Sequence, residues 1–109
     1  ERGRWLLDAR HTSSANELAL TGTLDGTTVS VVIDRTFIDA EGVRWIVDYK
    51  SSSHEGADLE GFLASEQERY RPQLERYASL MRHFGPEPIR LGLYFPLLSA
   101  WRSWLPSAR

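Results

Sequence analysis

The chain has 109 residues, a net charge of −2 and no cysteine, and 41% of its residues are hydrophobic. Without cysteine it can form no disulfides, thiolate zinc sites or iron–sulfur clusters, and its charge gives no global signal for nucleic acid, so DNA contact requires a local basic surface. Because it contains neither an apolar run of transmembrane length nor a signal-peptide pattern, we expect one soluble, cytoplasmic domain over residues 1–109 with no membrane partner.

The first half of the chain carries the patterns of β-strands. Residues 5–9 are a short apolar stretch that predicts a strand, and the polar segment HTSSAN predicts a loop. Residues 17–21 alternate and predict a strand, and LDGT is a hairpin turn signal. Two β-branched and aromatic runs follow, TVSVVIDRTFI and GVRWIVDYK, separated by DAEG. Together these segments predict a three-stranded antiparallel meander.

A helix is predicted after this meander. The composition of residues 51–61 indicates a loop, and Ser65 with Glu68 fits a capping box that would begin the helix. Pro72 predicts either a kink or a restart within it, and GPEP predicts its end at Gly85. A helical stripe supports the assignment: Tyr70, Gln73, Leu74, Tyr77, Leu80, Met81 and Phe84.

The last segments return to β-structure. Residues 89–95 predict a strand, Pro96 interrupts it, and residues 100–105 predict a short final strand. The order of strands, one long helix and further strands predicts a mixed α/β (α+β) domain with the helix packed on a sheet.

The hairpin between the two β-branched runs has a predictable register. If Asp39 pairs with Val43 around a three-residue loop, the loop's glycine takes the left-handed last position. In this register Phe37 faces Trp45, a favourable aromatic cross-strand pair.

The same register places Asp34 opposite Asp48. Two carboxylates about 5 Å apart repel by roughly 3 kcal/mol at an effective dielectric constant near 20, so a proton or a cation must relieve the repulsion. Magnesium prefers such hard oxygen ligands. Lys50 shares the face of Asp48 because side chains alternate along a strand.

Lys50 is the only lysine among 13 basic residues. Its ammonium is a compact charge that can orient a water or stabilise a phosphate under attack. The alternative is that Asp34 pairs with Arg35 or a distant arginine, and that Asp48 and Lys50 form a solvated strand end. Spacing alone does not decide between the two hypotheses, since an acidic-x-Lys pattern is short.

Three motifs in order carry a family resemblance: IDR at 33–35, IVDYK at 46–50 and YRPQLERY at 70–77. Over residues 17–95 the chain resembles RecB-type nucleases of the PD-(D/E)XK superfamily. It is most similar to the C-terminal nuclease domain of UvrD/Rep-like ATP-dependent helicase–nucleases. The resemblance implies a restriction-endonuclease-like core, DNA as substrate, and Mg²⁺ as cofactor with Mn²⁺ as an alternative.

The resemblance also assigns roles to individual residues. Asp34 matches the first metal-binding aspartate, Asp48 and Lys50 match the acidic-x-Lys pair, and the backbone carbonyl of Tyr49 matches a further metal ligand.

Gln73 and Tyr77 match the family's Q-x-x-x-Y helix motif, which contacts DNA or orients catalytic residues. A tyrosine on an apolar stripe is also typical of a core, whereas a buried glutamine needs partners. We expect Glu17, His54 and His83 to be structural or surface residues.

The sequence departs from the family pattern in three places. Ile33 stands where the superfamily's proline would be, Pro72 precedes Gln73, and the upstream helix that supplies a further acidic or histidine ligand is expected to lie before Glu1. No G-x-x-x-x-G-K phosphate loop is present in the sequence, so ATP binding is expected elsewhere. We therefore expect a C-terminal fragment of a larger helicase–nuclease of DNA repair and recombination, and we expect this fragment to be inactive alone. The alternative is a catalytically silent DNA-binding or docking domain of the same helicase.

Overall fold

The computed structural model describes residues 2–8, 11–54, 56 and 58–107. Its five strands form one sheet in the order β1-β2-β3-β4-β5, in which only the β3–β4 pair is parallel. This mixed α+β architecture confirms the predicted fold class and is consistent with a restriction-endonuclease-like core. No helix within the described ranges is long and apolar enough to cross a membrane. The elements are α1 (Arg2–Leu6), β1 (Thr12–Leu24), β2 (Thr27–Ile38), β3 (Arg44–Tyr49), α2 (Leu59–Met81), β4 (Ile89–Phe95), a 3₁₀ turn (Pro96–Leu98) and β5 (Ala100–Trp104).

The sheet has a core on each face. On one face, α2 buries Leu74 and Leu80 completely against strand residues such as Ile46 and Leu91. On the other face, a smaller cluster is built from Leu6, Phe37, Trp45 and Val47. Since β3 supplies side chains to both clusters in alternation, its apolar run is buried on both sides.

The N-terminal predictions were wrong. Residues 5–9 were predicted as a strand, but α1 ends at Leu6, and Ala9 lies outside the described residues. Leu6, only 1% exposed, fixes this short helix by packing into the Phe37 cluster. The segment HTSSAN was predicted as a loop, yet β1 begins at Thr12, because this polar stretch pairs with the end of β2.

The helix begins earlier than predicted. Asp58 is its N-cap and accepts a hydrogen bond from Gly61 N at 2.9 Å, whereas Ser65, the predicted start, lies inside α2. The helix does not restart at Pro72, and its last residue is Met81. An aspartate cap satisfies the first free N–H groups as well as a serine does, so the sequence offered two valid starts.

Candidate active site

The β2–β3 hairpin has the predicted register. Phe37 pairs with Trp45, and Asp39 N donates to Val43 O at 2.9 Å. The glycine of the loop, Gly42, has a φ of +81°, the left-handed conformation that the loop requires.

The paired part of the hairpin ends at the two aspartates. The last pair is Arg35 with Val47, and in a continued ladder Tyr49 N would donate to the carbonyl of Ile33. Instead Tyr49 N donates to Asp34 Oδ2 at 2.9 Å. The Asp34 carboxylate therefore takes the place of a backbone acceptor at the point where β3 ends and separates from β2.

Asp48 lies beside Asp34 and is only 6% exposed, so it is not a solvated strand end. Lys50 Nζ lies 2.7 Å from its Oδ2, but this buried oxygen has no hydrogen bond of acceptable geometry. Burial, with a contribution from the neighbouring Asp34 carboxyl, raises the pKa of Asp48 to about 6, against the opposing effect of Lys50.

Lys50 makes a second contact across the site. Its side chain is 16% exposed, and Nζ lies 3.5 Å from the ring centroid of Tyr70 on α2. Lys50 N donates to Tyr94 O at 2.8 Å, which fixes the backbone at the end of β3. The N–H and C=O of one strand residue point to the same side, so the carbonyl of Tyr49 also points towards β2 and Asp34.

Gln73 and Tyr77 both lie on α2, and their side chains are hydrogen-bonded to each other. Gln73 Nε2 donates to Tyr77 Oη. Tyr77 is buried in the core under α2, whereas Gln73 is exposed. Tyr70 precedes Gln73 by three residues and lies on the same face of α2. Through its contact with Lys50, Tyr70 connects the helix that carries Gln73 and Tyr77 to the end of β3.

Glu17 is exposed, which agrees with the expectation of a surface residue, and it also lies opposite Asp34. Asn16 pairs with Arg35 and Leu18 with Ile33, which leaves Glu17 facing Asp34 across the two strands. Its φ of +50° is unusual for a strand residue. No sequence signal marks this position.

The side chains of β2 stop alternating regularly between the two faces of the sheet near Asp34. Ile33 packs in the core under α2, whereas Arg35 donates from Nε to Leu6 O at 3.0 Å on the opposite face. Residues two apart in a regular strand share a face. This irregularity allows Asp34 to line an open cleft of about 1010 Å³. The cleft is lined by Gly3, Arg4, Leu6, Leu7, Asn16, Glu17, Asp34, Tyr49, Tyr94 and Pro96.

The two histidines expected to be structural or surface residues differ from each other. His83 is exposed. His54 is half-buried, and its ring stacks on Phe62 with centroids 4.6 Å apart. Both environments agree with the expectation, His83 as a surface residue and His54 as a residue that packs on α2.

The donor set fits a hard divalent cation. Asp34 and Asp48 present carboxylate oxygens, and Asp48 Oδ2 is buried without a properly directed hydrogen bond, the condition in which a carboxylate gains most from a cation. Within the described part of the chain, no group of three or more acidic, histidine or cysteine side chains is close enough to hold a metal. These two aspartates would therefore need other oxygen ligands.

A comparison with known protein families identifies the family of this chain. The sequence model of the PD-(D/E)XK nuclease superfamily matches residues 2–99. A comparison with proteins of curated function gives no match. Since the match spans nearly all of the chain and includes the aspartates and lysine described above, the chain belongs to the PD-(D/E)XK nuclease superfamily.

Proposed function

We propose that this domain hydrolyses DNA phosphodiester bonds with Mg²⁺, or Mn²⁺ as an alternative, as the RecB-type nuclease module of an ATP-dependent helicase that acts in DNA repair and recombination. The observation that carries this proposal is Asp48: a buried carboxyl group with a raised pKa, beside a second carboxylate and the chain's only lysine. Superfamily membership supports nuclease activity.

Each group has a role that its environment supports. Asp34, Asp48 and the carbonyl of Tyr49 would hold the metal, which when bound supplies charge stabilisation at the phosphate and acidifies a bound water. Asp48 must lose its proton to act as a ligand, so the raised pKa couples metal binding to pH.

Lys50 Nζ lies 2.7 Å from Asp48 Oδ2. Its ammonium can donate to a phosphate oxygen and stabilise the charge that develops during attack, or it can orient the attacking water. Gln73 and Tyr77 would contact DNA or hold the face of α2 in position, as their mutual hydrogen bond supports.

The test is a Mg²⁺-dependent nuclease assay on the full-length parent protein. We expect cleavage that requires the metal and is abolished by Asp48→Ala. Glu41→Ala is the matched control, because Glu41 is an exposed acidic residue at the opposite end of the same hairpin. Equal cleavage by the Asp48→Ala protein would refute the proposed site.

The same assay evaluates the alternative function. If the wild-type parent binds DNA but cleaves none with either Mg²⁺ or Mn²⁺, the domain is a silent DNA-binding or docking module of the helicase.

A further inference from the structure

The Lys50 ammonium contacts two different groups, a carboxylate and the face of an aromatic ring. Asp48 Oδ2 lies 2.7 Å from Nζ, and the ring centroid of Tyr70 lies 3.5 Å from it. Tyr70 comes from α2, whereas Asp48 lies in β3 and Lys50 directly follows that strand. Neither the superfamily motif nor the helical stripe distinguishes Tyr70 from an ordinary core residue.

The position of the Tyr70 ring is fixed by the core. Leu74 and Tyr77 follow it on the same face of α2, and they are 0% and 6% exposed. Leu63, two turns before Tyr70, is 3% exposed. Because buried residues on both sides hold α2 against the sheet, and Tyr70 itself packs against this core, its ring has a defined place near the end of β3.

The lysine, in contrast, has little else to fix it. Its side chain is long and has many rotamers. It is followed by residues 51–54 and 56, which form neither helix nor strand. The Asp48 contact lacks good hydrogen-bond geometry, so the ion pair alone does not define the position of Nζ.

The face of an aromatic ring is well suited to holding the Lys50 ammonium in position. It attracts the ammonium through the ring quadrupole, yet it accepts no strong hydrogen bond, which leaves the N–H groups of Lys50 for Asp48 and for a substrate oxygen.

We propose that Tyr70 is a positioning residue that holds Lys50 through the face of its ring and so connects α2 to the reacting groups. The placement of Lys50 follows from the contact itself, whereas its effect on cleavage rests on the proposed function. The phenol oxygen is not required, so phenylalanine is expected to replace tyrosine here.

The placement is tested without any activity. Because the 109-residue chain contains one lysine, incorporation of ¹³Cε-lysine gives a single side-chain ¹H–¹³C signal. We expect this signal to be shifted upfield by the ring current and to show nuclear Overhauser contacts to Tyr70 ring protons. Tyr70→Phe should keep the upfield shift, and Tyr70→Leu should lose it.

Arg69→Gln is the matched control, since the Arg69 guanidinium lies over the same ring at 5.2 Å from its centroid. This variant should leave the lysine signal in place. Absence of the Overhauser contacts in the wild-type chain would overturn the proposal, even if Tyr70→Leu fails to fold.

The kinetic consequence is measured in the parent protein. We expect Tyr70→Leu to lower kcat by about tenfold to a hundredfold, the scale for a misplaced catalytic group, with KM unchanged and Tyr70→Phe near wild type. A change in KM alone, or an equal loss in Tyr70→Phe, would overturn the positioning role. A parent that cleaves nothing in any form would reject the proposed function, while the lysine signal would still decide the placement.

Discussion

The two ends of the β2–β3 hairpin each carry an aspartate, and their environments are opposite. At the turn, Asp39 Oδ1 accepts from the backbone N–H groups of Glu41 at 2.9 Å and Val43 at 3.1 Å, and Oδ2 accepts from Trp45 Nε1 at 2.8 Å. Burial tends to raise the pKa of Asp39, but these donors outweigh burial, and the pKa is lowered.

At the open end of the hairpin, the effects that raise the pKa of Asp48 outweigh those that lower it. Asp48 is buried, a second carboxyl from Asp34 lies beside it, and Lys50 is its cationic partner among the described residues. Its pKa is consequently raised to about 6. The surroundings of Asp39 therefore favour its charged form, whereas those of Asp48 disfavour it, and carboxyl groups with such raised pKa values are concentrated at functional sites.

The largest expected effect comes from Lys50→Arg in the parent protein. We predict that cleavage falls by roughly a hundredfold or more, the scale for losing a positioned catalytic group. The charge is retained, but size, planarity and the capacity for proton transfer are not. Steady-state cleavage rates at saturating Mg²⁺ measure this effect. Near-normal cleavage would mean that Lys50 is only a cation facing the phosphate, or lies outside the site.

The second prediction is a pH-dependent gain of stability in Asp48→Asn. The pKa rises from 3.8 to about 6 on folding, so the protonated carboxyl stabilises the folded chain. That contribution is complete below pH 3.8 and is lost as the pH rises through 6. The shift corresponds to at most about 3 kcal/mol.

Urea denaturation of the two chains measures this difference. At pH 7.5 the Asp48→Asn chain should be more stable than wild type by about 2 kcal/mol, and near pH 4 the two should be equal. A variant that is less stable at pH 7.5 would show that ionised Asp48 stabilises the fold, contrary to the comparison drawn above.

The smallest predicted effect belongs to the turn. Asp39→Asn should lose about 1–2 kcal/mol of stability at pH 7.5, because one charged acceptor of three hydrogen bonds becomes a neutral group with one oxygen. Cleavage by the parent should be unchanged at temperatures where the variant is folded. A strong loss of cleavage in the folded variant would remove the distinction between the two ends.

The sequence was sufficient to predict the hairpin and, through it, that the two candidate aspartates lie close together. A three-residue loop with glycine last and the Phe37–Trp45 pair determine the register, which places Asp34 and Asp48 just beyond the last pair, Arg35 with Val47. These signals are local, so they do not depend on the rest of the fold.

Features that depend on tertiary contacts could not be predicted. Helix α1 has 5 residues and is too short to be stable by itself; it is held by Leu6 and by the hydrogen bond from Arg35. The position of Glu17 opposite Asp34 follows from an irregular backbone. The contact of Tyr70 with Lys50 depends on how α2 lies across the sheet, which a helical stripe does not specify.

The most direct test of a metal site at the open end of the hairpin is a Mg²⁺ titration of this chain, followed by its amide resonances at pH 7.5. Tyr49 N donates to Asp34 Oδ2, so its resonance reports any ion at that carboxylate. We predict that millimolar Mg²⁺ shifts the resonances of Asp34, Tyr49 and Lys50 first, that Asp48→Asn abolishes these shifts, and that Glu41 at the turn is unaffected. Shifts centred on the turn, or identical shifts in Asp48→Asn, would contradict the assignment of Asp34 and Asp48 as the metal ligands.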